Sequence, residues 1–423
     1  MRILVVSWEY PPVVVGGLGR HVHHLATELA RAGHDVVVLS RQPTGSDGLT
    51  HPGTDTVCDG VRVIAAAEDP PHFVFGEDMM AWVLALGHTL IRAGLGLGNP
   101  KDVAGEGIWV PDVVHAHDWL VAHPAIALAE HFDVPLVSTF HATEAGRHSG
   151  WVSGRVNKQV HSVEWWLAAE SDAVITCSAS MRDEVHRLFG PELAEIHTIH
   201  NGIDIDAWPF ARRVAHDGPP RLLFAGRLEY EKGVQDAIAA LARIRRTHRG
   251  AVLTVAGDGT QLSWLREVAR DHKVSRAVRF VGAVDKAGLA ELMKDCDVMV
   301  LPSRYEPFGI VALEAAATGA PLVTSTAGGL GEAVTDRVTG LSFAPADVSG
   351  LTAAIRAALS DPAAAQQRAI AARVRVSQGF AWNQVAARTV AVYEKATRRP
   401  RRPLGRPTIV DRPLPERDPA GPI

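Results

Sequence analysis

The sequence contains little cysteine. Its 423 residues include Cys58, Cys177 and Cys296, and none of them belongs to a CxxC pair or to a Cys/His zinc spacing. A disulfide scaffold and a structural zinc site are therefore excluded as organising features. Sparse thiols of this kind suit a reducing compartment, so we expect a cytoplasmic protein.

The sequence also lacks a long uninterrupted hydrophobic run. The longest apolar region, residues 81–97, contains His88 and Arg92 and is shorter than a membrane-spanning helix requires. The N-terminus has one Arg, a short apolar stretch and a double proline, which is not the pattern of a signal peptide. We therefore expect no membrane span, and peripheral membrane contact stays open.

Net charge is small as well. The formal value of −4 argues against a protein that binds nucleic acid by bulk electrostatics. The charge is uneven, because residues 398–423 carry seven Arg against three acidic residues, together with seven Pro. That composition without apolar periodicity predicts a disordered tail.

Buried-strand patterns alternate with helical periodicity along most of the chain. Residues 2–7 form a β-branched apolar run, a helical pattern ends at Gly33, and residues 34–40 form the next strand. A second series follows the Gly218–Pro220 loop signal. We therefore predict an α/β protein of two doubly wound domains, residues 1–205 and 206–380, that face a cleft at the carboxyl ends of their strands.

The strongest motif follows a predicted strand at residues 298–301 and opens a helix. Glu306 lies in the loop and Glu314 eight residues further on, while the backbone N–H groups of Phe308, Gly309 and Ile310 lie at the helix N-terminus. Such N–H groups bind anions or sugar oxygens, and a carboxylate accepts hydrogen bonds from a ribose diol. In the structural alternative, Glu306 complements the helix dipole and Glu314 is a solvated surface residue.

A cationic motif follows the strand predicted at residues 221–225. Arg227 and Lys232 flank a turn just before a helix that begins at Gly233. Two cations beside a helix N-terminus suit a diphosphate. In the structural alternative they are surface charges paired with Glu229 and Glu231.

A glycine-rich loop follows the first strand. Gly16 and Gly17 allow the backbone to approach a phosphate or a sugar closely. The dinucleotide fingerprint GxGxxG fails here because Val22 occupies its last position, and a second partial match fails at Leu262. NAD binding is therefore not supported.

Histidines and an aspartate end two adjacent strands of the first domain. Asp118 follows His117 and precedes Trp119, and His141 ends the next strand, so we expect Asp118 and His141 at one cleft edge. His115 is read as a satisfied core or strand-end histidine. His117, Asp118 and His141 are metal-ligand types, but no HExxH-like spacing accompanies them, so we expect no metal.

Eight of the ten tryptophans precede residue 210. An aromatic-rich first domain fits an oligosaccharide acceptor, because indole rings offer flat apolar faces to sugars. Core packing is the alternative for any single ring.

Together the motifs resemble retaining glycosyltransferases of family 4, which have the GT-B fold. The set comprises GGL at 16–18, HAHDW at 115–119, His141, HNGID at 200–204, GRLxxxKG at 226–233 and E-x7-E at 306–314. The resemblance covers about residues 1–397 and is closest to bacterial glycogen synthases and to the actinobacterial α-1,4-glucosyltransferase branch of methylglucose lipopolysaccharide and glycogen synthesis.

The resemblance implies a role for each matched residue. In the second domain, Arg227 and Lys232 would neutralise the donor diphosphate and Glu314 would hold the ribose. Glu306 and the backbone of residues 308–310 would bind the hydroxyls of the donor sugar.

In the first domain, Gly16 and Gly17 would contact the phosphate, and His141 and Asp118 would line the transferred sugar. Asn201 would lie near the cleft. The first domain would bind the acceptor, and a C-terminal helix, residues 381–397, would cross back onto it. Bacterial glycogen synthases carry a lysine two residues before their glycine pair, where this chain has Val14.

The implied activity is transfer of glucose from UDP-glucose or ADP-glucose to an α-1,4-glucan or a (methyl)glucose polysaccharide, without a metal or a cofactor. Three alternatives stay open: a GDP-mannose-dependent mannosyltransferase with a lipid acceptor, a nucleotide-sugar epimerase and a non-catalytic sugar-binding protein. A donor screen with and without acceptor separates them.

Overall fold

The computed structural model describes residues 1–14, 16–43, 46, 50–51, 53–67, 72–98, 108–148, 150–190, 193–212 and 216–398. The chain divides into two compact units. Unit 1 contains Met1–His200 and the chain from Trp382 onward, and unit 2 is Asn201–Ala381. The sequence places the first boundary five residues later, after residue 205 rather than 200. The predicted tail lies outside the described residues beyond Arg398.

Unit 1 is built on an eight-stranded sheet. In chain order the strands are β1 (Arg2–Val6), β2 (Asp35–Arg41), β3 (Thr54–Cys58), β4 (Val61–Ala66), β5 (Val113–His117), β6 (Leu136–Phe140), β7 (Ala173–Thr176) and β8 (Ile196–Thr198). Their order across the sheet is β3-β4-β2-β1-β5-β6-β7-β8. Only β3 runs antiparallel to its neighbour, through a hairpin whose turn residues Asp59 and Gly60 have positive φ.

Among the described residues, six α-helices lie between these strands. They are α1 (Gly17–Arg31), α2 (Met79–Leu97), α3 (Ala122–Phe132), α4 (Glu144–Arg147), α5 (Arg155–Glu170) and α6 (Ala179–Phe189). Helix α1 ends as the sequence predicts, with Gly33 at a φ of +87° where residues with a Cβ are strained.

Helix α2 corrects the prediction that the apolar region is too short to span a membrane. It has 19 residues and a mean hydropathy of 1.4, enough by length and composition to cross a bilayer. Its Trp82, Val83, Leu86 and Leu90 are nevertheless buried within unit 1, and Gly94 lies against Leu128 of α3. These contacts pack one face of α2 into unit 1, and 39% of its most apolar stretch is buried.

Unit 2 has a six-stranded parallel sheet. Its strands are β9 (Arg221–Ala225), β10 (Val252–Ala256), β11 (Val278–Gly282), β12 (Val298–Leu301), β13 (Leu322–Ser325) and β14 (Leu341–Phe343). Its helices are α7 (Val234–Ile244), α8 (Leu262–Asp271), α9 (Lys286–Asp295), α10 (Ile310–Thr318), α11 (Leu330–Ala333), α12 (Val348–Ser360) and α13 (Pro362–Gly379). The strand order β11-β10-β9-β12-β13-β14 corresponds to 3-2-1-4-5-6, the order of dinucleotide-binding Rossmann domains.

The last helix, α14 (Trp382–Thr397), returns to unit 1. It packs on α1, and its Trp382, Val385, Val392 and Tyr393 join the same buried cluster as the first strand. The Tyr393 hydroxyl is 2.6 Å from Nδ1 of His115 on β5. The helix therefore supplies both apolar area and a buried hydrogen bond to unit 1.

Candidate active site

The predicted donor residues of unit 2 lie where its strand order reverses. Strands β9 and β12 are neighbours in the sheet, and both carry their motif in the loop after the strand. In open α/β sheets this reversal leaves a crevice at the carboxyl ends of the strands, where ligands bind. The two loops therefore lie at the edge of unit 2 where ligands generally bind in sheets of this kind.

An ion pair joins these two loops. Lys232 Nζ is 2.8 Å from Glu306 Oε2, and Ser303 Oγ donates to the same oxygen at 3.2 Å. Only 13% of the Lys232 side chain and 17% of the Glu306 side chain are exposed. The cationic motif and the carboxylate motif, 74 residues apart in the chain, thus share one partly buried charge pair.

Arg227 behaves differently from Lys232. Its side chain is 55% exposed, and its Nη2 is 3.6 Å from Glu231 Oε1. This is the surface pairing that the structural alternative describes. The other carboxylate of that alternative, Glu229, instead accepts hydrogen bonds from the backbone N–H and hydroxyl of Thr260.

Arg304 fixes the two loops relative to each other. Its guanidinium donates to both carboxylate oxygens of Asp236 at 2.8 and 3.0 Å and to the Tyr230 hydroxyl at 2.6 Å. Its backbone N–H donates to the Glu231 carbonyl at 2.7 Å. A bidentate pair of this kind specifies geometry strongly, so Arg304 positions the ends of the two motifs.

The remaining predicted residues of this motif lie around the start of α10. Gly309 is its N-cap at a φ of +90°, Ile310 is its first residue, and Phe308 is buried. Glu314, in the second turn, is only 2% exposed. The alternative that Glu314 is a solvated surface residue is therefore wrong.

Asn201 is the first residue of unit 2. Its side chain is buried, and its Oδ1 makes no hydrogen bond within the part of the chain that the structure describes. The structure does not bring it into hydrogen-bonding contact with Lys232 or Glu306 among those residues.

In unit 1 the glycine loop is held by a carboxylate that sequence reasoning missed. Glu9 Oε2 accepts hydrogen bonds from the backbone N–H groups of Gly16 at 3.0 Å and Gly19 at 3.3 Å. Gly16 is the N-cap of α1 and Gly17 its first residue. A buried carboxylate thus lies at a helix N-terminus, where the dipole favours negative charge.

Asp118 and His141 meet at the carboxyl ends of β5 and β6. Asp118 Oδ1 accepts a hydrogen bond from the backbone N–H of His141 at 2.7 Å. Asp118 has a φ of +61°, an uncommon conformation for a residue with a side chain. Burial raises the pKa of its carboxyl from 3.8 to about 7, against the opposing effect of that hydrogen bond.

Three histidines continue from this point into the interior. His117 Nδ1 is 3.0 Å from His141 Nε2, and His115 contacts the Tyr393 and Thr139 hydroxyls. Burial lowers the pKa of His115 and of His141 to about 3 each, and that of His117 well below its ordinary value. All three imidazoles are therefore neutral at physiological pH.

His21 is the second residue that sequence reasoning missed. It lies on α1, and one ring nitrogen from each of His21, His117 and His141 falls within 4.8 Å of the others. From the sequence we identify a different set of metal-ligand residue types, with Asp118 in place of His21, and expect no metal there. Helical spacing could have revealed His21, because position 21 falls on the same face of α1 as the apolar residues Leu18 and Leu25.

Comparison with known proteins identifies the family. The family model described as "Glycosyltransferase Family 4" matches residues 15–207, and "Glycosyl transferases group 1" matches residues 208–375. A protein of Mycobacterium tuberculosis (strain ATCC 25618 / H37Rv) named "Glycogen synthase" is 64% identical over 417 residues, covering 99% of this chain and all of the relative. The chain belongs to glycosyltransferase family 4.

Solved structures agree with this family 4 assignment at the level of the fold. Sucrose-phosphate synthase from Thermosynechococcus elongatus matches 93% of this chain and 98% of its own with a TM-score of 0.78 at 24% identity. The catalytic domain of starch synthase IV from Arabidopsis thaliana, bound to ADP and acarbose, matches 94% and 99% with a TM-score of 0.70 at 18% identity. The expected GT-B fold with two Rossmann-like domains is confirmed.

Proposed function

We propose that this family 4 enzyme transfers glucose from UDP-glucose or ADP-glucose to the non-reducing end of an α-1,4-glucan, with retention of configuration. The Lys232–Glu306 pair at the ligand-binding edge of unit 2 is the observation that carries the proposal. The 64% identical relative named glycogen synthase supports glucose and a glucan over the mannosyl alternative. We also propose a cytoplasmic location, where nucleotide sugars are available.

Unit 2 binds the donor. Lys232 and Arg227 face the diphosphate, whose charge rises as the sugar departs, and preorganised cations stabilise such charge strongly. When the diphosphate arrives, Lys232 is shared between it and Glu306. The exposed Arg227 exchanges its contact with Glu231 for a phosphate oxygen.

The sugar and ribose contacts of unit 2 come from the region around α10. Glu306 and the N–H groups of residues 308–310 (Phe308, Gly309 and Ile310) bind hydroxyls of the donor glucose. Glu314 accepts from the ribose diol. Asn201, whose buried Oδ1 has no hydrogen-bond partner among the described residues, is a further acceptor for a donor hydroxyl.

Unit 1 contributes groups for the transferred sugar and the phosphate. Because its pKa is about 7, the Asp118 carboxyl is partly protonated at neutral pH and both donates and accepts hydrogen bonds. Neutral His141 does the same through its ring nitrogens. Gly16 and Gly17 present their backbone to the phosphate once the Glu9 carboxylate moves away from the Gly16 N–H.

The chemical step we propose is a front-face displacement. The bond between the anomeric carbon and the diphosphate oxygen breaks, and the acceptor hydroxyl oxygen bonds to the same face of that carbon. The hydroxyl proton passes to the departing phosphate oxygen. The chain's own contribution is to hold the developing charges with Lys232, Arg227 and the N-terminus of α10, so the step requires no metal or cofactor.

Nucleotide release by the purified full chain tests this proposal. UDP-glucose, ADP-glucose and GDP-mannose are each supplied with and without a maltooligosaccharide, with EDTA present. Acceptor-dependent release from a glucose donor, with a product one glucose longer, is expected. Release from GDP-mannose alone, or a donor converted without any acceptor, would contradict it and favour the mannosyl or the epimerase alternative.

The acceptor is resolved by a second comparison in the same assay. An unmethylated maltooligosaccharide and a 6-O-methylated one are compared at equal concentration, and the ratio of their kcat/KM values decides whether the glucan or the methylglucose polysaccharide is preferred. If no donor is turned over, the proposed activity is contradicted and the non-catalytic sugar-binding alternative is favoured.

A further inference from the structure

Three imidazoles converge inside unit 1. His21 from α1, His117 at the end of β5 and His141 after β6 have ring centroids 4.7 to 5.6 Å apart. His21 and His117 are buried, and His141 is half-buried. The rings therefore come from three different places in the fold: helix α1, the end of β5 and the loop that begins after β6.

The spacing of the ring nitrogens is close to that of a metal site. Zinc–nitrogen bonds of about 2.0–2.1 Å place the nitrogens of a tetrahedral site roughly 3.3 Å apart. One nitrogen of each ring already lies within 4.8 Å of the others, and His117 Nδ1 is 3.0 Å from His141 Nε2. Closing a separation of 4.8 Å to that of a tetrahedral site would require ring movements of roughly 1.5 Å in total.

His117 carries an unsatisfied nitrogen. Its Nε2 is fully buried and has no hydrogen-bond partner within the described residues. Neighbouring His115 is equally buried, yet both of its nitrogens contact hydroxyls. Buried polar atoms in folded proteins are nearly always paired. Nε2, the ring nitrogen of His117 that does not contact His141, is an exception among the described residues.

We propose that His21, His117 and His141 bind a borderline divalent metal ion such as Zn²⁺, and that the bound ion inhibits sugar transfer. Imidazole suits zinc and copper, and three neutral imidazoles each supply one lone pair without losing a proton. The fourth position is left for water. The inhibitory part rests on the proposed function, because the metal withdraws His141 from the transferred sugar.

Trp382 gives a readout that does not depend on activity. Its ring lies 5.3 Å from the His21 ring, within unit 1. Cu²⁺ precedes Zn²⁺ in affinity for nitrogen ligands and quenches nearby indole fluorescence, so it serves as the probe. We expect the tryptophan fluorescence to be quenched, with saturation at one equivalent of Cu²⁺ and reversal by excess Zn²⁺. In Trp382→Phe most of the quenching should be lost, while calorimetry should still show that one Cu²⁺ binds.

Ligand variants locate the site. His21→Gln and, separately, His117→Gln should weaken Zn²⁺ binding at least about tenfold, since even outer-shell changes at metal sites cost that much. His88→Gln is the matched control, because His88 is exposed on α2. Each variant's melting curve shows whether it is folded. Unchanged Zn²⁺ affinity in both folded ligand variants would overturn the site.

Inhibition is measured against each protein's own metal-free rate. Zn²⁺ at saturation should lower wild-type turnover at least tenfold, EDTA should restore it, and His21→Gln should need at least tenfold more Zn²⁺ for the same effect. Binding without inhibition would overturn the regulatory part. If no donor turns over in EDTA, the proposed function fails while the fluorescence titration still decides the metal site.

Discussion

At the scale of single residues, the Lys232–Glu306 pair shows how a partly buried charge is kept available. Each side chain is more than four-fifths buried, and each compensates the charge of the other before a substrate arrives. Removing one partner leaves the other charge buried and unpaired, which destabilises the loop as well as the reaction. Ser303 also donates a hydrogen bond to Glu306 Oε2. In the proposed function this oxygen keeps one partner when Lys232 turns to a phosphate.

Substitution of either partner tests its role in turnover. Lys232→Ala and Glu306→Gln should each lower kcat about 10²-fold or more, as expected for loss of one preorganised electrostatic contact. Lys294→Ala, which breaks the Lys294–Glu291 pair elsewhere in the same unit, should leave kcat unchanged. Steady-state nucleotide release measures all three. Near-normal turnover in both Lys232→Ala and Glu306→Gln would show that this pair is not part of the active site.

Glu164 gives a prediction about pH. It is buried on α5, accepts the backbone N–H of Glu144 at 2.8 Å, and burial raises its pKa above the ordinary 4.5. The folded state then holds this proton more tightly than the unfolded state, so the glutamate lowers stability as pH rises above about 4.5. A glutamine at this position does not ionise, so the variant does not lose stability in this way as pH rises.

The melting temperature of Glu164→Gln minus that of the wild type should therefore be more positive at pH 8 than at pH 5. Scanning calorimetry at the two pH values measures the difference. Glu77→Gln, at an exposed position, should show no such trend. A difference that becomes more negative with rising pH would mean that the ionised carboxylate is stabilising.

At the scale of elements, the β9 and β12 loops approach each other more closely than a side chain permits. Gly233 has a φ of +72°, and a Cβ there would lie 1.9 Å from the Pro302 carbonyl oxygen. The contact lets Lys232, one residue earlier, reach across to Glu306. Glycine is required at this position by its conformation and by the space available.

Gly233→Ala should lower stability by more than about 2 kcal/mol, because the left-handed backbone alone costs roughly 1–2 kcal/mol for a residue with a Cβ and the β12 loop must also move. Gly96→Ala is the contrasting control. A Cβ at Gly96, within α2, meets nothing within 4 Å, so Ala there should stabilise by about 0.5–1 kcal/mol. Urea unfolding measures both. Equal effects of the two changes would refute the steric argument.

The sequence predicts the elements of the central sheets well. Strands Arg221–Ala225 and Val298–Leu301 have the predicted bounds, because parallel strands buried on both faces are continuous apolar runs. The β3–β4 hairpin is not predicted, since all five residues of β3 are exposed and carry no apolar alternation. Its Asp59-Gly60 pair was the available signal.

The site is predictable only in part. Alternation of strands and helices places both motifs of unit 2 at one sheet edge, but the pairing of Lys232 with Glu306 rather than with Glu231 depends on tertiary packing. Likewise, Arg304 shows no motif of its own and acts through Asp236, 68 residues away. Residues that position others across such distances leave little local pattern.

At the scale of the whole molecule, unit 1 is completed by the end of the chain. Helix α14 contributes the fully buried Tyr393 and, through it, a hydrogen bond to His115. We therefore expect removal of α14 to expose this histidine and the apolar residues around it. Unit 2, by contrast, is one continuous segment with its own core.

A chain that ends after Ala381 should therefore lose the structure of unit 1 and keep that of unit 2. Amide hydrogen exchange read by mass spectrometry should show fast exchange in β1 and β5 and wild-type protection in β9 and β12. The matched control ends at Arg398 and retains every contact of α14 described above. Protection of β1 and β5 in the shorter chain would show that unit 1 folds without its last helix.

The return of α14 also has a consequence for biosynthesis on the ribosome. Domains generally fold in order as they are translated, at roughly 5–20 residues per second. Here the first two hundred residues emerge early, but unit 1 is incomplete until α14 has been synthesised. Synthesis of unit 2 in between takes about 10–40 s. During that interval the nascent chain exposes the surface of unit 1 that α14 later covers. We infer that the second half of this protein reaches its native state first.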